Sequence, residues 1–346
     1  MANYNKQSSL FRRRMKTYYY DSDRSVEEIN RISKKKTSYA FLQRSAKVFF
    51  ESVEAPATSP TIWRGKPSNN SLSFGKPVAN DKDQAYETLK RVFDIEDNGF
   101  QDKYKQSIDG DGQEWRRITT LTSSSLLALL CFYDLSKDNP LEMKLGQREF
   151  RMTLADFEVK NQVSEYHFSN IDVVLKGKDK ARPQKDVHIL LESKFSEYLT
   201  YGKYSGINKT VYGEIYNSLS DTLTEMGLKT VEEGADKLCL TTATGRCCHY
   251  VGGIKQMISH YLGAKSYSRE NPEVEVILAE ILFDFGKDQE DKLADYCQLY
   301  EKLAEELNSL DEGEDNSVRV WGKCLTYQEL LRGKQLNPRV KLYYQL

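Results

Sequence analysis

An α/β fold, an α+β mixed sheet flanked by helices, is what the order of apolar patterns along this chain predicts. Three observations carry it. A dense apolar run at 123–135 reads as a buried helix. Three strand-like runs follow, at 150–159, 171–175 and 187–191, the first the least regular. An amphipathic helix at 254–262, with Ile254, Met257, Ile258, Tyr261 and Leu262 on the i, i+3, i+4, i+7, i+8 pattern, then precedes an apolar strand at 274–285.

The remaining elements fall around this order. Residues 1–25 read as an irregular arm carrying Arg12, Arg13, Arg14 and Lys16, then Tyr18, Tyr19 and Tyr20. Such a mixture can grip nucleic acid, charge on phosphates and rings on bases, or cover its own domain. Ser25 with Glu28 three positions on is a capping-box pattern, which opens a helix over 25–52. Pro56, Pro60, Pro67 and Pro77 mark a loop-rich stretch, and a short helix is expected at 85–95. The Asp-Gly-Asp-Gly turn at 109–112 is the domain boundary in this reading: 1–112 is a basic, partly helical, loop-rich region, and 113–346 is one folded domain. Gly177, Pro183 and five basic residues make 176–185 a hairpin loop, and Gly252-Gly253 allow a sharp turn into the following helix. A charged helix spans 289–310, with Leu293, Tyr296, Leu299, Tyr300 and Leu303 inward.

Composition narrows the function classes. Of 346 residues, 39% are hydrophobic, 29% charged and 11% aromatic, which fits a soluble globular protein rather than a disordered one. The most apolar stretch, 126–133, is far short of the ~20 residues that span a bilayer. No secretory signal is visible, so a cytoplasmic location is expected. The six cysteines include no C-x-x-C pair and the four histidines are scattered, which argues for reduced thiols and against a zinc site. The net charge of −1 hides an asymmetry: residues 1–50 carry 12 Lys+Arg against 4 Asp+Glu, and 270–316 carry 3 against 16. The first is a polyanion-facing arm or an ordinary solvated surface; the second is a solvated helix face with a loop at 311–316.

The chemistry sits in the paired strands. Asp172 opens the run Asp-Val-Val-Leu, and Glu192 and Lys194 close Val-His-Ile-Leu-Leu-Glu-Ser-Lys. In an antiparallel hairpin the start of the first strand lies beside the end of the second, so Asp172 and Glu192 meet at one edge. Glu192 and Lys194 are two apart and share a face, with the Ser193 carbonyl between them. Two acids can hold a divalent cation beside a phosphate, and a lysine can orient or deprotonate water and neutralise developing charge. Two other E-x-K strings, Glu142-Met-Lys144 and Glu158-Val-Lys160, lack this strand context.

The triad resembles the PD-(D/E)xK superfamily of restriction-endonuclease-like nucleases. Asn170-Ile171-Asp172 stands for the family's "PD" aspartate, with the proline missing, and Glu192-Ser193-Lys194 for its (D/E)xK. The continuation to Glu197 and Tyr198 and the serine-rich helix from Ser123 are similar to those of bacterial restriction-endonuclease-like proteins, over roughly 115–285. The resemblance implies a restriction-endonuclease-like αβββαβ core with a mainly helical N-terminal region. It implies Mg2+-dependent hydrolysis of DNA phosphodiester bonds, with Mn2+ as substitute, in restriction or DNA defence. Asp172, Glu192, Lys194 and Gln256 would be catalytic, and Asp172, Glu192, Ser193 and Glu158 would hold the metal. His260 shares a helix edge with Gln256 and reads as a surface or core histidine. Arg12, Arg13, Arg14 and Lys203 are the expected nucleic-acid contacts, with Tyr198, Tyr201 and Tyr204 beside Lys203 either joining them or forming a surface loop. Restriction-like enzymes that cut both strands often dimerise, which carries a homodimer as an expectation by analogy.

Two other readings compete: a catalytically inactive nucleic-acid-binding relative, and a structural or complex-forming protein docking through the acidic C-terminal helix. DNA against RNA, and sequence specificity, stay open, and endonuclease action is expected ahead of exonuclease action.

Overall fold

The computed structural model describes Phe41 and Ile118 and residues 82–96, 99–109, 123–199, 205–243, 251–286, 290–311 and 318–346. The chain divides into two compact units. One comprises 1–133, 285–288 and 335–346; the other comprises 134–284 and 289–334.

In the first unit, α1 (Lys82–Phe93), α2 (Phe100–Ser107), α3 (Ser124–Phe132) and the C-terminal α9 (Pro338–Tyr344) are held by rings and caps. Tyr86 stacks on Phe100 at 5.8 Å, and Phe93 meets Tyr343 edge-on at 6.0 Å. The Ser123 hydroxyl accepts from Leu126 N and starts α3, as an N-cap serine does. The helix expected over 25–52 and the basic arm lie outside the described residues, apart from the helical, buried Phe41.

The second unit contains the expected mixed sheet with its helices. Strands β1 (Leu141–Leu145), β2 (Arg148–Ser164), β3 (His167–Asp179) and β4 (Arg182–Lys194) are antiparallel in succession. Helix α6 (Val251–Glu270) then allows β8 (Glu275–Leu282) to return parallel to β4. Short β9 (Arg319–Val320) and β10 (Leu325–Thr326) pair in parallel alongside β8, giving the order β1-β2-β3-β4-β8-β10 with β9 also on β8. Helix α7 (Glu290–Ser309) buries Tyr296, Tyr300 and Leu303, and α8 (Tyr327–Leu330) follows β10. Between β4 and α6 lies a small antiparallel sheet of β5 (Ser205–Asn208), β6 (Leu228–Glu232) and β7 (Lys237–Thr242) in the order β5-β7-β6, with α4 (Lys209–Ser218) and α5 (Ser220–Glu225). Among the described residues no helix is long and apolar enough to cross a membrane.

Several sequence expectations are corrected. The 176–185 stretch is not a loop: β3 runs to Asp179 and β4 starts at Arg182. Gly177 is a strand glycine because a Cβ there would run into the Arg151 carbonyl, where β2 shifts register between Met152 and Leu154. Its basic residues are paired rather than projecting. Arg148 and Arg182 each place Nη2 2.8 Å from Asp179 Oδ2, and both also reach Glu275 at the start of β8. Burial pushes the Asp179 carboxyl up, but the two guanidinium groups and Ala181 N outweigh it and bring it down to about 2.

Gly252 and Gly253 are inside the first turn of α6, not before it. A Cβ on Gly253 would sit 2.5 Å from the Tyr296 hydroxyl, so this glycine makes room for α7's tyrosine. Gly263 does the same for the sheet, since its Cβ would lie 2.7 Å from Ser169 Cβ and 3.3 Å from Asn161 Cβ. Asp311 is not a solvated loop residue either. It is buried and accepts from Tyr261 Oη at 2.7 Å and Lys265 Nζ at 2.6 Å, tying the end of α7 to α6.

Candidate active site

The site forms where the sheet forks. β3 pairs with β2 along almost all its length, but with β4 only as far as Val173↔Leu191. The next position on each strand is Asp172 and Glu192. There the Asp172 side chain continues the hydrogen bonding, with Oδ2 accepting from Ser193 N at 2.7 Å. β4 itself runs on beside β8 to Lys194↔Leu282.

The register lines up more than two acids. Phe157↔Val173 and Val159↔Ile171 bracket Glu158 and Asp172, and Glu192 is the partner of Glu280 on β8. Glu158, Asp172, Glu192 and Glu280 therefore occupy one row across four strands. Like charges placed directly across a sheet destabilise it, so packing stability alone does not account for this row. Glu158 also has φ +48°, left-handed backbone that a non-glycine residue adopts at a cost, at the position opposite Asp172 in the β2–β3 register.

One lysine and one histidine stand against these acids. Lys194, 3% exposed, contacts Glu192 Oε1 as a close ion pair and donates to Gln256 Oε1 at 2.7 Å. His260 Nε2 lies 2.8 Å from Glu192 Oε2, close enough for an ion pair but off the line of a good hydrogen bond, while its Nδ1 is 2.6 Å from Ser169 Oγ. Gln256 and His260 come from α6 one turn apart, which is why both reach the same carboxylate–ammonium pair.

The charges are strongly biased. Burial, then the Glu192 and Glu158 charges, push the Asp172 carboxyl well above its ordinary range, against the pull of Lys194 and the Ser193 N–H. Burial also raises Glu192, but His260 and Lys194 outweigh it and hold it at about 2. Burial works against the Lys194 ammonium, yet Glu192, Glu280 and Asp172 keep it above its usual value. Burial lifts Glu280 to about 7 despite Lys194 and the hydrogen bond from Tyr296.

Of the residues singled out in the sequence, Asp172, Glu192, Lys194, Gln256 and Glu158 converge here. The Ser193 side chain points away, with its hydroxyl 2.6 Å from Tyr327 Oη, so only its backbone faces the acids. His260, read as a surface or core histidine, is a buried neighbour of Glu192. Tyr198 is buried and donates to the Phe283 carbonyl at 2.7 Å, so it is no surface contact. Arg12, Arg13, Arg14, Tyr201, Lys203 and Tyr204 lie outside the described residues. Glu142 and Lys144 are exposed on β1, in ion pairs with Arg151 and Glu149. Glu280 was not singled out in the sequence, and its partner Tyr296 was read only as an inward helix residue; the signal available was one acid inside the apolar β8 run.

Among the described residues no three His, Cys, Asp or Glu side chains are gathered to hold a metal ion. A magnesium ion does not require three, being ordinarily held by one or two carboxylates with water and phosphate. Asp172 and Glu192, with the Ser193 backbone between the strand ends, offer oxygen donors of the kind such a cation takes. Compared with protein-family models, with curated proteins and with solved structures, the chain matches none of them.

Proposed function

We propose that this protein is a Mg2+-dependent nuclease that hydrolyses DNA phosphodiester bonds, with Asp172, Glu192 and Lys194 at its centre and Mn2+ able to replace Mg2+. The observation that carries the reading is the convergence of two strand acids and an i+2 lysine where β3 and β4 part. The antiparallel β2–β3–β4 followed by α6 and a parallel β8 is consistent with the βββαβ portion of a restriction-endonuclease-like core; the α3 that would precede it belongs to the other compact unit. A role in restriction or DNA defence, and a homodimer, are part of the same reading.

Each residue then has a task. Asp172 and Glu192 hold the cation, with the Ser193 carbonyl and Glu158 as further donors. The cation supplies charge stabilisation at the phosphate and a lower pKa for bound water. Lys194, kept as an ammonium by the surrounding acids, is poorly suited to take a proton at neutral pH. Its work is electrostatic, countering charge that develops on the phosphate oxygens. Gln256 steers that ammonium through the 2.7 Å bond to Nζ.

One observation favours the second reading, a catalytically silent nucleic-acid-binding relative: both Glu192 oxygens already face cationic or potentially cationic partners, Lys194 and His260. Incubation with plasmid DNA, linear DNA and RNA, in Mg2+, Mn2+ or EDTA, separates the two. The nuclease reading expects DNA cleavage that EDTA stops and that falls by about a hundredfold or more in Glu192→Ala and Lys194→Ala. Cleavage undiminished in those variants overturns the assignment. Salt-dependent DNA retention without cleavage supports the silent relative.

A further inference from the structure

Glu280 is the most deeply buried acid of the row, with no exposed surface, and its two oxygens are treated differently. Oε2 accepts from Tyr296 Oη at 2.6 Å, while Oε1 is buried with no hydrogen-bond partner. Leaving a buried carboxylate oxygen unsatisfied costs free energy, so it calls for a reason. The register supplies a donor. Glu280 is directly across from Glu192 on β4, and Lys194, paired with Leu282, is its diagonal neighbour on the same face. Lys194 Nζ carries three donors, of which Glu192 and Gln256 take two.

A cation at Asp172 and Glu192 would take a Glu192 oxygen; of the two, Oε1 now contacts Lys194 and Oε2 lies against His260, so coordination through Oε1 displaces the ammonium. The ammonium must then find another acceptor inside a buried site. We propose that Glu280 is a positioning residue for Lys194, its free Oε1 receiving the ammonium when a divalent cation occupies Asp172 and Glu192. Tyr296 takes Oε2, which leaves Oε1 as the oxygen without a donor, and Gly253 makes room for Tyr296. The exchange keeps Lys194 beside the reacting phosphate without competing for the cation's ligand. This inference rests on the proposed cation site.

The test is Mn2+ binding to the full chain without nucleic acid, followed by electron paramagnetic resonance, in the wild type, Glu280→Gln and Tyr296→Phe. Glu280→Gln removes the charged acceptor and is expected to weaken Mn2+ binding about tenfold, the scale seen when a residue supporting a metal ligand is lost. Tyr296→Phe disturbs the same spot but leaves the acceptor, and should bind within about threefold of the wild type, well inside that scale. Equal affinity in the wild type and Glu280→Gln overturns the Glu280 proposal alone. So does a tenfold loss in Tyr296→Phe, which also decides the matter if Glu280→Gln does not fold. No Mn2+ binding to a folded wild type overturns the cation site as well.

Discussion

Asp172→Asn is expected to make the protein more stable while abolishing the proposed cleavage. Asp172 sits between Glu158 and Glu192 in the cross-strand row, and burial together with those two charges disfavours its ionised form. Asparagine keeps an oxygen to accept from Ser193 N, so the fork itself should close as before. The expected gain without divalent cations at pH 7 is about 1 kcal/mol, the usual scale when a strained functional group is relieved. The sign with pH follows from the raised folded-state pKa. The native state holds the Asp172 proton longer than the unfolded chain, so wild-type stability falls as pH rises above the ordinary carboxyl range of about 4. The gap between variant and wild type should therefore vanish in acid and widen toward neutral pH. Urea unfolding in EDTA across this range measures it, and an Asn variant that is the less stable partner at pH 7 contradicts the account.

Glu192→Ala is expected to have the opposite effect, a loss of about 3–5 kcal/mol in unfolding free energy. That is the cost of breaking a buried ion pair from one side, because the remaining charge is left uncompensated. Lys194 would lose its ion-pair partner, and His260 would lose the carboxylate 2.8 Å from its Nε2. The double replacement Glu192→Leu with Lys194→Met removes both charges and should recover most of the loss, since a well-packed apolar pair often equals a buried salt bridge. Urea denaturation of the two variants checks this. A double variant as unstable as the single would mean that packing, not charge, dominates at this position.

The contrast between these variants explains which parts of the site were legible in the sequence. Asp172, Glu192 and Lys194 were readable because strand alternation fixes faces, and an acid, a spacer and a lysine at the end of an apolar run are visible as a pattern. The mixed sheet was readable for the same reason: its long apolar strands and α6 have strong periods. Glu280 was hidden because β8 is buried throughout and reads simply as apolar, so one acid inside it looked like part of an acidic, solvated region. His260 was underread because its role comes from Glu192 and Ser169, residues distant in sequence. Asp311 was misjudged because a charged residue beside a loop resembles a solvated one until Tyr261 and Lys265 are seen to meet it. The β5–β7 insertion went unread because its strands are only four to six residues long and bounded by helices, too short for a period to stand out.

Asp172 and Glu192 are proposed to share a divalent cation at the fork between β3 and β4. A crystal grown with Mn2+ and measured at an energy where manganese scatters anomalously tests it most directly. An anomalous peak is expected between the two carboxylates, at about the 2.1 Å oxygen distance of a small divalent cation, with Lys194 turned away from Glu192 toward Glu280. No peak at that position, with Lys194 and His260 still paired to Glu192 in saturating Mn2+, would contradict it.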